Sequence, residues 1–333
     1  VTHVIRRDLL KSLESVAPGL SKKEVIEQSS CFVFKGGQVI TFNDEVACST
    51  SCNLDVEGAV VADPLLSLLG KLQEDELEVD AVDGELVVKG KRRKAGIRLE
   101  SEISLPVDGI ETPEKWKKLP AEFLEAVGVV QNCVSQDQSQ FVLTCVHLHP
   151  EQVEACDNFQ LIRFPIKTGL TKPTLVRGTA LSGIASMEVK EFSETENWLH
   201  FRGPSGVILS CRRYMDKYPD IGPLLECKGE KVKLPKGLDG VIDKAKVFSE
   251  GDGNVVVELR SGKTRITGRG VNGWYSEVMD TEYAGEDTRF AISPKLLLEI
   301  TKQTEVMTVA EGRIKIDSGK FTFVVCTGEV EGE

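Results

Sequence analysis

The sequence predicts an α+β protein of three tandem domains, each built from two helices against antiparallel sheets, and three observations carry that expectation. Six amphipathic helical patterns start at positions 8, 63, 120, 179, 238 and 293, at intervals of roughly 55 to 59 residues. Between helices the chain breaks into short β-type runs punctuated by Gly, Asn and Asp. One helix on a small sheet cannot close a core, whereas two such units can place both helices against one antiparallel layer. The chain has 333 residues, 41% hydrophobic and 28% charged, which suffices for three domains of ordinary size and excludes disordered and fibrous classes.

The first helix is expected at 8–17, with Leu9, Leu10, Leu13, Val16 and Ala17 on one face, followed by strands at 30–35, 38–42, 45–49 and 54–60. The second, at 63–72, carries a leucine stripe and opens on Asp63-Pro64, a cap followed by a first-turn proline. Its strands are 77–82, 86–89 and 95–99, the last two separated by Lys91-Arg92-Arg93-Lys94, which reads as a solvated hairpin tip. The third helix, at 120–130 (Phe123, Leu124, Val127, Val130), precedes strands at 140–148, 152–156 and 161–166. The fourth, at 179–187 (Leu181, Ile184, Ala185), precedes 187–192, 198–202 and 207–211. The fifth, at 238–248 (Leu238, Val241, Ile242, Ala245), precedes 255–259, 264–267 and 277–283. The sixth, at 293–302 (Leu296, Leu297, Ile300), again starts on a cap and a proline and precedes 306–310, 313–316 and 321–326. Interruptions near 107–118 and 226–235 divide the chain into domains 1–112, 113–232 and 233–333.

With 41 Lys and Arg against 52 Asp and Glu, the net charge of −11 argues against a surface that attracts nucleic acid everywhere. The six helical segments nonetheless carry a small net positive charge, so a stacked repeat can turn equivalent basic helices toward one polyanion and leave an acidic exterior. Nine cysteines are scattered without a Cys-x-x-Cys, and the Cys48, Cys52 pair lacks nearby histidines, so structural thiols are expected, with no metal and no cofactor. His147 and His149 share one side of a strand but make only two ligands. The glycines of Gly268-Arg269-Gly270 and Gly273 lack the Gly-Lys-Ser/Thr of a phosphate loop. Carboxylates occur in runs without a partnered His or Lys, so no enzyme is expected. No apolar run reaches the roughly 18 residues of a membrane span, and the first residues lack a signal peptide's apolar core, so a cytoplasmic protein without membrane contact is expected.

The segment Cys156-Asp157-Asn158-Phe159-Gln160-Leu161 is similar to the Thr-Asp-Gly-His-Arg-Leu segment of the bacterial DNA polymerase III beta subunit, the sliding clamp. Lys217-Tyr218-Pro219-Asp220 resembles its Arg-Phe-Pro-Asp, and Thr281-Glu282-Tyr283-Ala284-Gly285 with Phe290-Ala291-Ile292-Ser293 resembles its last domain's turn and the strand entering its last helix. The order of these motifs and the six-helix spacing extend the resemblance over essentially the whole chain, as a divergent member of the kind a phage or mobile element carries. It implies a head-to-tail homodimer whose six domains form a ring around duplex DNA, helices inside and sheets outside. The ring would tether a DNA polymerase after a clamp loader has placed it. The alternative is a clamp-fold interaction scaffold that no longer tracks on DNA. DNA-facing positions implied are Lys22, Lys23, Lys71 and Arg177, joined by Arg6, Arg7, Lys244, Lys246, Lys295 and Lys302 from their place on helices, and the Gln-Asp-Gln-Ser-Gln loop at 136–140. A partner-peptide groove is implied at Asp157, Phe159, Leu161, Pro219, Leu224, Val325 and Cys326. Its Asn158-Phe159, Gly222-Pro223 and Cys326-Thr327-Gly328 depart from the family pattern, so a non-standard peptide preference is expected.

Overall fold

The computed structural model describes residues 1–249 and 253–330, and it divides the chain into six repeats of one pattern: a strand, a helix and three further strands. The first is β1 (Thr2–Ile5), α1 (Arg6–Val16), β2 (Cys31–Lys35), β3 (Gln38–Phe42) and β4 (Val46–Ser51). The second is β5 (Gly58–Val61), α2 (Ala62–Lys71), β6 (Glu76–Val82), β7 (Glu85–Lys89) and β8 (Lys94–Glu100). The third is β9 (Lys117–Lys118), α3 (Phe123–Val130), β10 (Cys145–His149), β11 (Gln152–Cys156) and β12 (Gln160–Pro165). The fourth is β13 (Thr174–Arg177), α4 (Gly178–Ser186), β14 (Glu191–Glu194), β15 (Trp198–Arg202) and β16 (Ile208–Arg212), followed by the single turn α5 (Gly222–Leu225). The fifth is β17 (Glu230–Lys233), α6 (Leu238–Lys246), β18 (Val255–Arg260), β19 (Lys263–Gly270) and β20 (Gly273–Asp280). The sixth is β21 (Thr288–Ile292), α7 (Pro294–Gln303), β22 (Val306–Ala310), β23 (Arg313–Asp317) and β24 (Thr322–Cys326). The fold class is therefore α+β, with antiparallel sheets and paired helices in tandem.

No repeat closes its own sheet, because the entering strands are exchanged. β1 pairs with β6 while β5 pairs with β2; β9 pairs with β14 while β13 pairs with β10; β17 pairs with β22 while β21 pairs with β18. The exchange is reciprocal within each successive pair of repeats. It brings the two helices of a pair side by side: α1 packs on α2, α3 on α4, and α6 on α7.

By compactness the chain forms two units. The first comprises residues 1–131, 145–150 and 167–216. It holds a twelve-stranded sheet in the order β1-β6-β7-β8-β5-β2-β3-β4-β16-β15-β14-β9. β2 is buried on both faces, as its unbroken apolar run Cys31-Phe32-Val33-Phe34 requires. Cys31 and Val33 join Phe42, Ala47, Trp198, Leu105 and Val107 in one cluster, so the connecting segment around 103–110 covers a sheet face.

The second unit comprises residues 132–144, 151–166 and 217–333. It carries the strand run β11-β12-β24-β23-β22-β17 and a separate sheet, β20-β19-β18-β21. α6 lies on β19, where Gly268 permits the approach: a Cβ there would stand 1.9 Å from the Ala245 carbonyl oxygen.

The final strands of the repeats make the long-range joins. β4 pairs with β16 through residues 46–49 and 208–211, and β12 pairs with β24 through 160–163 and 322–325. Among the described residues the final strands of the second and fifth repeats have no such join. β20 is the edge of its sheet, and β8 meets β5 only through Leu99 and Glu100.

All six expected helices form, with shifted ends. α2 starts at Ala62, so Asp63 lies inside its first turn instead of capping it, Pro64 stands in the first turn as expected, and Ser293 before α7 makes no side-chain capping bond. Several expected strand bounds are corrected. Residues 54–57 are not strand although Leu54 and Val56 are buried, because alternation reports burial and not ladder bonding. Residues 141–144 form a 3₁₀ turn ahead of β10. The strand expected at 187 starts at Glu191, since Glu188 takes φ +48 and turns the chain after α4. β19 and β20 extend into Gly270 and Gly273 around a two-residue turn, longer than the runs expected at 264–267 and 277–283.

Candidate nucleic-acid interface and partner groove

α1, α2, α6 and α7 each bury an apolar stripe and leave a charged face exposed. α1 buries Leu9, Leu13 and Val16 and exposes Arg7 and Lys11; α2 buries Leu65 and Leu69 and exposes Lys71. α6 buries Leu238, Val241, Ile242 and Ala245, and α7 buries Leu297 and Ile300, leaving Lys244, Lys246, Lys295 and Lys302 exposed. Lys22 and Lys23 are exposed in the loop after α1. Lys11 is an exposed helical cation that helical spacing alone could have added to the sequence candidates.

The structure gives two of the expected DNA-facing cations other work. Arg6 donates from Nε to Glu74 O at 3.0 Å, in the loop after α2, and from Nη1 to Leu69 O at 2.9 Å, satisfying a carbonyl in the last turn of α2. Arg177 ends β13, is 8% exposed, and holds its Nε 3.1 Å from Glu45 Oε1. Lys244 is tied to Glu277 at 2.8 Å and lies over the Tyr275 ring, and Lys302 is 3.5 Å from Glu299. α3 and α4 contain no lysine or arginine. The helix cations therefore come from α1, α2, α6 and α7, and the net positive charge from α1 and α7 alone.

The loop at 136–140 is ordered by Asp137, whose Oδ1 accepts from Ser139 N at 2.9 Å and Ser139 Oγ at 2.7 Å. Those hydrogen bonds hold the Asp137 carboxyl below its ordinary range. Gln136 and Gln138 are exposed.

The expected groove residues come together within the second unit. Asp157 makes the β11–β12 turn, its Oδ1 accepting from Phe159 N at 2.7 Å and Gln160 N at 2.8 Å; its role is to shape the turn. That turn presents Phe159 at 65% exposure. Phe159 O accepts from Cys326 N at 2.7 Å, which fixes the turn to the end of β24. Tyr218 anchors the other wall: its hydroxyl accepts from Cys156 N at 2.8 Å and donates to Cys156 Sγ at 3.3 Å, and burial pushes the phenol well above its ordinary pKa. Pro219 is exposed beyond it, Asp220 Oδ1 accepts from Gly222 N to start α5, and α5 packs on β24 with Leu224 48% exposed. Leu161 is 8% exposed and Val325 fully buried, so these two support the surface from beneath while Phe159, Pro219, Leu224 and Cys326 form it.

The remaining chemistry is internal. Burial pushes the Cys48 thiol up to about 12 and Cys52 to about 11, so neither supplies a thiolate. His200 lies 2.7 Å from Ser210 Oγ and 2.9 Å from Thr195 Oγ1, but His200 and Ser210 are buried in the sheet and no substrate reaches them. His147 and His149 stack edge-on at 6.0 Å. Among the described residues no group of three or more His, Cys, Asp or Glu could hold a metal ion, and no helix is long and apolar enough to cross a membrane.

No protein-family model matches the sequence, and no curated protein matches it significantly. Solved structures do match. The DNA polymerase III beta subunit of Bartonella birtlesii, a DnaN sliding clamp bound to griselimycin, superposes with a TM-score of 0.87 at 14% identity, covering 98% of this chain and 99% of that one. The beta subunit of Thermotoga maritima gives 0.83 at 18% identity, covering 99% of both chains. The sliding clamp of Pseudomonas aeruginosa bound to griselimycin gives 0.83 at 15% identity, covering 98% and 99%. The match runs end to end on both sides, and the chain has the sliding-clamp fold of the bacterial DNA polymerase III beta subunits.

Proposed function

We propose that this chain is a DNA polymerase processivity factor: a head-to-tail homodimeric ring that encircles duplex DNA and tethers a polymerase through the groove at Phe159 and Leu224. The domains are 1–112, 113–232 and 233–333, and reciprocal strand exchange within successive pairs of repeats supports that division. The observation that carries the ring is the pattern of joins. The first repeat's last strand, β4, pairs with the fourth's, β16; the third's, β12, pairs with the sixth's, β24. The same rule sends the fifth's, β20, to the second's, β8, and within one chain those two strands lack that partner. A second copy supplies it, and two identical joins close a ring. The free edge of β20 and the part of β8 that β5 leaves uncovered favour that pairing.

Lys11, Lys22, Lys23, Lys71, Lys246 and Lys295 are the helix and loop cations we assign to the DNA side, joined by the loop at 136–140, with Arg7, Lys244 and Lys302 contributing once their acidic partners are displaced. They contact phosphate without reading bases, which leaves the ring free to move along the duplex. A clamp loader opens the ring. Light scattering tests the closure: twice the chain's mass supports it, and a monomer at micromolar concentration contradicts it. The scaffold reading is favoured by one observation, the absence of cations on α3 and α4. A dimer that recruits polymerase but leaves circular DNA at raised salt would establish it.

A further inference from the structure

Residues 101–106, which carry the chain away from β8, are neither helix nor strand, and one buried side chain takes up their backbone groups. That side chain is Gln28, at the base of the loop after α1. Ser21 closes the loop by donating to Ser29 O at 2.9 Å; Lys22 and Lys23 are exposed at its tip, whereas Gln28 is 2% exposed. A glutamine amide has two N–H donors and two acceptor positions, and all of them are used here. Nε2 donates to Glu100 Oε2 at 3.0 Å and to Glu102 O at 2.8 Å, while Oε1 accepts from Ser104 N at 2.9 Å and from Leu105 N at 3.3 Å. The Gln28 backbone is left-handed, φ +63, a conformation uncommon outside glycine that persists only where its surroundings enforce it. Its N–H donates to Glu24 Oε1 and its carbonyl accepts from Cys31 N, which fixes that conformation from both sides.

We infer that Gln28 is a positioning residue for the subunit join, holding the end of β8 so that its outer edge is in place before the second copy's β20 arrives. The inference rests on the reading of β8 and β20 as the joining strands. β5 pairs with β8 only at Leu99 and Glu100, which leaves the outer edge of residues 94–98 to the second copy. That edge can be paired only if the end of β8 does not peel away. The end is held from two sides. On one, the β5 backbone comes so close that a Cβ at Gly58 would stand 2.5 Å from Glu100 O. On the other, the Gln28 amide grips Glu100 and then Glu102, Ser104 and Leu105, beyond the point where the ladder stops, and so sets the direction in which the chain leaves the strand. Leu105 then reaches the apolar cluster of Val33, Phe42 and Trp198. An edge ordered in advance has less conformational freedom to lose on association.

The test is the dimer dissociation constant of the full chain, from sedimentation over a range of concentrations, with urea unfolding of each variant measured alongside. Gln28→Ala removes all the bonds of the amide and should raise the constant about tenfold for each join, and so about a hundredfold for a ring whose two joins part together. Thr41→Val removes a buried hydrogen bond from β3 to Val16 O, in the same sheet but away from β8, and should lower the urea midpoint without moving the constant. Gln28→Glu alone turns a carboxylate toward Glu100 and should weaken the dimer. Adding Glu100→Gln exchanges donor and acceptor across that contact and should recover part of the loss. If Gln28→Ala does not fold, Gln28→Asn, which keeps the amide on a left-handed backbone but falls one methylene short, should raise the constant in its place. An unchanged constant in the folded variant, or an equal rise in Thr41→Val, overturns the inference while leaving the ring intact. A natural chain that stays monomeric overturns the ring reading and the inference with it.

Discussion

His200 offers a direct check on how the twelve-stranded sheet is packed. Its ring is fully buried on β15, opposite Ser210 on β16 and Ser193 on β14, with Nδ1 2.7 Å from Ser210 Oγ and Nε2 2.9 Å from Thr195 Oγ1. Burial drives its pKa from the ordinary 6.5 down to about 4; Glu111 pulls it back up and Arg213 pushes it further down. The folded state therefore keeps the ring neutral at pH values where the unfolded chain takes up a proton. The associated stability is full above the unfolded value and falls as pH drops from 6.5 toward 4. Linkage puts the loss at about 2 kcal/mol by pH 5 and about 3 kcal/mol by pH 4. Replacing His200 by Asn removes the titration, so the stability gap between the natural chain and His200→Asn should narrow by about 2 kcal/mol between pH 7 and pH 5. Urea unfolding reported by Trp198, buried on the same strand, measures the gap, and the imidazole C–H proton resonance measures the pKa. A gap independent of pH, or a resonance titrating near 6.5, would refute the packing argument.

Three further outcomes follow from particular contacts. Phe159→Ala and Leu224→Ala each remove an exposed groove side chain and should weaken the polymerase interaction by about 1–3 kcal/mol, read as lost polymerase stimulation with DNA retention unchanged. Arg6→Ala forfeits two charge-assisted bonds, to Leu69 O in the last turn of α2 and to Glu74 O in the loop after it, and should cost about 2 kcal/mol in thermal unfolding, with Arg6→Lys recovering only part because it cannot span both oxygens. Gly268→Ala places a methyl against the Ala245 carbonyl and should destabilise the α6 packing by about 1–3 kcal/mol; an unchanged melting temperature would contradict the close approach.

Helices were the legible part of the fold, because leucine at helical spacing marks the buried stripe whatever lies beneath it. Of the entering strands, most of β5 falls inside the run expected at 54–60 and β21 is carried by the resemblance, while the others were not legible. Lys117-Lys118 and Glu230-Lys231-Val232-Lys233 are too short and too polar to alternate, and their partners lie in the following repeat, so nothing local reveals the exchange. Charge was legible as composition and misleading as position: Arg6 and Arg177 look like free cations until carbonyls and Glu45 are seen to hold them. The groove was found through motif order, yet which of its residues reach the surface depends on strand register. Leu161 lies on β12 and is buried, whereas Phe159 lies in the turn before the strand and points out.

The central claim is topological retention, and one measurement addresses it most directly. The protein is loaded onto nicked circular duplex DNA, the salt is raised until ordinary phosphate contacts are screened, and half of the sample is cut once with a restriction enzyme. The account predicts that protein stays with the circles and is lost from the cut molecules by sliding off their ends. Equal loss from both, after loading at low salt has been demonstrated, would contradict it.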